Sequence, residues 1–86
     1  MASLNKGRGH ICSVTLGENS VLHGKSVREV VFPKGALLIS IVRNNKLIIP
    51  GGDTVLQAGD EIIAVCEERA QKALIRLMNS THADEK

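Results

Sequence analysis

The stretch from Leu37 to Val65 constrains this chain most, because three chain reversals are packed into it with no spare residue between them. It reads LLISIVRNNKLIIP, then GGDTVLQAGD, then EIIAV. Ala36 to Arg43 is an almost unbroken aliphatic run, as expected for a strand covered on both faces. Asn44-Asn45 tolerates the positive φ angles of a tight hairpin, so Lys46 to Ile49 returns as the partner strand. Pro50-Gly51-Gly52 ends that strand, Val55 and Leu56 pin the connecting loop to the core, and Gly59-Asp60 prepares a last strand, Glu61 to Glu67.

The flanks complete a small domain. Residues 1–9 (MASLNKGRG) are polar and aperiodic and read as a flexible leader or linker, residues 10–80 as the domain, and residues 81–86 as a disordered tail. His10 to Leu16 alternates enough for a first strand, and Gly17 to Ser20 breaks it. Ser26 with Glu29 three residues on has the form of a capping box. It opens a short helix with Val27, Val30 and Val31 on one face, which Pro33 stops. A final helix starts at Glu67 or Glu68, with Ala70, Ala73, Leu74, Leu77 and Met78 at three- and four-residue steps. The order is β-α-β-β-β-α. The fold class is therefore α+β, with a largely antiparallel four-stranded sheet.

Composition narrows the function. Of 86 residues 43% are hydrophobic, but Phe32 is the one aromatic, so the core is small and aliphatic. Such a chain gains by burying a face against a second copy, which makes a homodimer the default. A net charge of +2, with eleven Lys and Arg dispersed along the chain, argues against nucleic acid as a partner. No apolar run approaches the ~20 residues of a membrane span, so direct membrane insertion is not expected. Cys12 and Cys66 sit inside apolar runs and read as buried free thiols of a reducing cytosol.

Catalytic and metal chemistry find little support. His10, His23 and His82 lie in unrelated segments, and neither CxxC nor HxxxH occurs. Asp53 and Asp60 read as turn residues, and Gly51-Gly52-Asp53-Thr54 as a structural turn, since no helix follows it. No catalytic residue, metal ligand or cofactor is assigned, and an enzyme is not expected. Binding fares better. Arg43 ends an aliphatic strand beside Asn44 and Asn45 and across the hairpin from Ile48, Ile49 and Pro50. A guanidinium offers fork-shaped donors to a phosphate, and an aliphatic wall with a proline can sandwich a planar base.

From about Ile11 to Met78 the sequence resembles the TrkA C-terminal (RCK_C) domain family, regulators of potassium and other cation transport in prokaryotes. The resemblance rests on Leu22-His23-Gly24-Lys25-Ser26-Val27-Arg28-Glu29-Val30, on the aliphatic strand ending Val42-Arg43, and on Ile49-Pro50. It continues through Asp53-Thr54-Val55-Leu56-Gln57-Ala58-Gly59-Asp60-Glu61-Ile62 and the closing helix. It implies a non-catalytic cytoplasmic module that dimerises and is held at the inner membrane through a transporter or channel, or through a fused transport domain. The chain contains no GxGxxG, so an excised or a free-standing regulatory domain is expected. Some family members bind cyclic di-AMP between two subunits. Carried over, that resemblance implies a ligand groove at Leu38, Ile39, Ile41, Arg43, Asn44, Asn45, Ile48, Ile49 and Pro50. Two alternatives stand beside the sensor: a purely structural dimerisation module with an empty groove, and a swapped-hairpin DNA-binding domain suggested by Lys46 to Pro50 with Gly59-Asp60.

Overall fold

The computed structural model describes residues 3–4 and 9–82. Its strands are β1 (Ser3–Leu4), β2 (Gly9–Thr15), β3 (Ala36–Arg43), β4 (Lys46–Ile48) and β5 (Glu61–Glu67), and its α-helix is α1 (Gln71–Asn79). They form one sheet in the order β1-β2-β5-β3-β4, every adjacent pair antiparallel. The α+β class expected from sequence therefore holds, with one strand more than expected. Ser3 and Leu4, read as leader, pair with His10 and Gly9 at the sheet edge. Two residues are too few to show an alternating pattern, which is why the sequence hid them.

Register assigns each side chain to a face, since directly opposed residues of an antiparallel pair point the same way. One face carries His10, Cys66 and Ala36 in a first row. Cys12, Ala64 and Leu38 form a second, and Val14, Ile62, Ile41 and Ile48 a third. This is the core side. Leu74 and Met78 of α1 pack there, with Leu16, Leu22 and Leu56 from the connections, all buried. Each fully buried Leu or Ile contributes about 1.5–3 kcal/mol of transfer free energy. Along α1 the apolar stripe is displaced slightly from the expected one: Ala73 is exposed and Ile75 packs on the core instead.

The opposite face carries Ile11, Val65 and Leu37, then Ser13, Ile63 and Ser40, then Thr15, Glu61, Val42 and Leu47. Among the described residues no helix covers it, and Leu37 and Leu47 are 66% and 65% exposed. The expectation that β3 is buried on both faces fails within the chain. The unbroken aliphatic run has another cause. Between Leu38 and Ser40 the register slips, so that Leu38 opposes Ala64 while Ser40 opposes Ile63, and Ile39 is the extra residue of a β-bulge. Leu37 and Ile41 then face opposite ways although both have odd numbers.

The hairpin is as the sequence predicts. Arg43 opposes Lys46, and Asn44 and Asn45 have φ of 52° and 64°, the left-handed pair of a type I′ turn. The short helix is reduced to a 3₁₀ turn, Val27–Glu29, where the Glu29 carboxylate accepts from the Ser26 amide at 2.8 Å and the Ser26 hydroxyl at 3.0 Å. Val31, expected on its buried face, is 87% exposed. A single 3₁₀ turn is too short to bring a fourth residue back to the same side. The chain from Lys25 to Arg28 instead pairs with the loop before β5: Leu56 N–H donates to Lys25 O, Val27 N–H to Thr54 O and Arg28 N–H to Gly52 O, at 2.8–3.0 Å. Among the described residues no helix is long and apolar enough to cross a membrane.

Candidate functional site

The nine residues singled out from the sequence do not share one surface. Leu38 and Ile48 pack on the core, and Ile41 is fully buried in it. Ile41 therefore cannot touch a ligand from its present place: the bulge at Ile39 turns it inward. Ile39 itself is 40% exposed and Ile49 75% exposed. Asn44 and Asn45 are exposed at the hairpin tip, and Pro50 is half-buried beyond β4. The accessible part of the set is thus Ile39, the two asparagines, Ile49, Pro50 and part of Arg43.

Arg43 is not the unengaged fork the sequence suggests. Its Nε donates to Asp60 Oδ1 at 2.8 Å and its Nη2 to Asp60 Oδ2 at 2.7 Å, with a further Nη2 bond to Val55 O at 2.9 Å. Three of the five guanidinium N–H groups are so occupied, and the two on Nη1 have no protein partner among the described residues. The Arg43 side chain remains 26% exposed while that of Asp60 is buried. Asp60 also accepts the Gln57 amide at 2.9 Å. The Arg43 guanidinium holds the Asp60 carboxyl below the usual carboxylate range, and Asp60 in turn raises the Arg43 pKa.

Asp60 is the residue that sequence reasoning missed. It looks like an ordinary turn acid after Gly59, whose φ of +91° suits glycine alone. The available signal was that Arg43 is the sole cation of an aliphatic strand and so wants a carboxylate nearby. His23 lies beside this loop, its Nδ1 accepting the Ala58 amide at 2.9 Å.

The other features are structural. Gly51 to Thr54 is a turn, closed by Thr54 N–H to Gly51 O at 3.1 Å and Gly51 N–H to Thr54 Oγ1 at 2.9 Å. Arg28 meets Asp53 at 2.8 Å on the surface. Cys12 and Cys66 are buried free thiols on the core face. Burial, and then its Cys12 neighbour, pushes the Cys66 thiol up, away from the reactive thiolate. A shallow depression of about 420 Å³ lies on the open face at the far end of the sheet from the hairpin, lined by Gly9, Gly35, Leu37, Val65 and Glu67 among others. Among the described residues no three His, Cys, Asp or Glu side chains are grouped so as to hold a metal ion.

Comparison with known proteins decides the family. Residues 11–79 match the TrkA-C domain model. This chain belongs to the TrkA-C domain family. The Trk system potassium uptake protein TrkA of Mycobacterium tuberculosis is 35% identical over 72 residues, 84% of this chain and 33% of that protein. TrkA homolog 1 of Methanosarcina mazei is 36% identical over 63 residues, 73% of this chain and 14% of its own length. The K(+)/H(+) antiporter NhaP2 of Shewanella oneidensis is 31% identical over 64 residues, 74% of this chain and 11% of the antiporter. A solved chain described as an RCK domain with cda superposes with a TM-score of 0.70 at 25% identity, covering 80% of this chain and 97% of that one. This TrkA-C chain spans about a third or less of the length of these curated relatives.

Proposed function

We propose that this TrkA-C chain is a non-catalytic regulatory module of a cation transport system, potassium being the ion, and that it works in the cytoplasm against a membrane transporter or channel. The observation that carries this reading is the match over residues 11–79, shared with potassium uptake proteins and with a potassium–proton antiporter. The module pairs with a second copy through the open sheet face, where Leu37 and Leu47 offer apolar surface that one chain leaves in water. It senses a cyclic dinucleotide, cyclic di-AMP first, held between the two subunits. In that reading Ile39, Ile49 and Pro50 flank a base, Asn44 and Asn45 supply amides, and the Nη1 edge of Arg43 meets a phosphate. A ligand bridging two subunits acts on the transporter only by preferring one arrangement of the pair. The solved relative that carries cda supports a small ligand on this fold.

A second reading, a purely structural dimerisation module, draws support from the Arg43 fork already being filled by Asp60. Light scattering of the purified protein with calorimetric titration of cyclic di-AMP separates the two, with ATP and cyclic di-GMP as controls. The sensor predicts a dimer that takes one cyclic di-AMP per two chains. A dimer that gives no heat with any of the three is the structural module, and a monomer rejects both.

A further inference from the structure

Resting on the ligand reading above, we propose that Asp60 is a positioning residue for anion recognition: it holds the Arg43 guanidinium so that only the Nη1 donors are offered to a phosphate.

An arginine at the end of a strand beside a hairpin tip has rotamer freedom to lose when an anion immobilises it. Here that freedom is removed in advance. The Nε and Nη2 donors lie along one edge of the planar group and are filled by the two Asp60 oxygens and Val55 O. Nη1 projects away from that edge with both hydrogens unspent, in a side chain that stays partly exposed. Asp60 is itself immobile. Its carboxylate takes the Gln57 amide, its carbonyl accepts Leu16 N–H at 2.9 Å, and its own amide donates to Gln57 O at 3.1 Å. Gly59 N–H to Leu16 O, at 2.8 Å, ties the preceding residue to the same point. The orientation of Nη1 is therefore set by the loop before β5 rather than by the hairpin that carries Arg43.

The pairing also fixes what kind of recognition is available. Arg43 with Asp60 is neutral as a unit, so an approaching phosphate meets directed donors without a net positive charge. Binding of a cyclic dinucleotide then depends on hydrogen-bond geometry and on the apolar flanks, and responds weakly to salt.

The test is calorimetric titration of the whole chain with cyclic di-AMP at low and high salt, for wild type, Asp60→Asn and Arg43→Lys. Melting temperatures and the Arg43 Nε–H signal by NMR are recorded alongside. Asp60→Asn keeps the shape but loosens the fork and uncovers a charge. The expected result is binding about tenfold weaker, with a steeper salt dependence and loss of the protected Nε–H signal. Arg43→Lys keeps the charge and loses the fork, and should weaken binding comparably. A lowered melting temperature with unchanged affinity in Asp60→Asn overturns the positioning role and leaves the ligand reading standing. Should that variant not fold, unchanged affinity in Arg43→Lys overturns it equally. Absence of binding by the wild type removes the ligand reading and this role with it.

Discussion

Arg43 and Asp60 stand seventeen positions apart in sequence and meet through two parallel hydrogen bonds of 2.8 and 2.7 Å. Because Arg43 lowers the Asp60 pKa in the folded chain, the unfolded chain binds the proton more readily. The stabilisation is fully present above the unfolded value of about 3.9 and is lost as pH falls through the lower folded value. Glu29, lowered by its bonds from Ser26, acts with the same sign. Urea unfolding between about pH 5 and pH 2 should show a steep fall in wild-type stability and a shallower one in Asp60→Asn.

Removing the cation is a different experiment from removing the acid. Arg43→Ala strands a buried carboxylate that keeps only the Gln57 amide. With the Arg43 side chain 26% exposed, the cost should be about 1–3 kcal/mol, below that of a fully buried pair. Chemical denaturation measures it, and no loss of stability would mean the pair is not formed in solution.

Ile41 and Ile49 both belong to the groove that the family resemblance implies, yet one is wholly buried and the other exposed. Ile41→Ala should cost about 2–5 kcal/mol, while Ile49→Ala should stay within about 0.5 kcal/mol. Only the second should alter cyclic dinucleotide binding in a folded protein. Equal destabilisation by the two would contradict the register of the hairpin.

At the tip, both asparagines hold positive φ. Asn45→Gly should leave stability unchanged or slightly higher, whereas Asn45→Val should lower it by about 1–2 kcal/mol through left-handed backbone strain. Thermal melts of the pair would show the difference directly.

Leu37 lies on the open face at the end away from the hairpin, opposite Val65. If that face joins two copies, Leu37→Lys should yield monomers in light scattering with little change in the fold by circular dichroism. A variant that remains a dimer would move the interface elsewhere.

Much of this molecule can be read from its residues because local chemistry and global placement agree there. Asn44-Asn45 announces the hairpin, Glu61 to Glu67 alternates as a strand should, and Leu74 and Met78 mark the buried side of α1. The site was less legible. A bulge carries no signature in an aliphatic run, so the sequence does not show that Ile41 turns into the core. The partner of Arg43 is a long-range contact formed only once β3 lies beside β5. The uncovered face is also invisible in sequence, since aliphatic side chains look alike whether a helix or a second chain is to cover them.

The bulge at Ile39 works as a phase shift. Strand residues ahead of it send even positions to the core, and residues beyond it send odd ones. Were all the residues kept and the bulge lost, Ile39 would oppose Ile63, Ser40 would turn into the core opposite Ile62, Ile41 would move to the open face, and Arg43 would leave Asp60 for the opposite side of the sheet. Every aliphatic residue could be kept and the protein would still lose its charge pair and its interior together. The pairing phase of β3, more than the kind of its residues, decides which surface the hairpin serves.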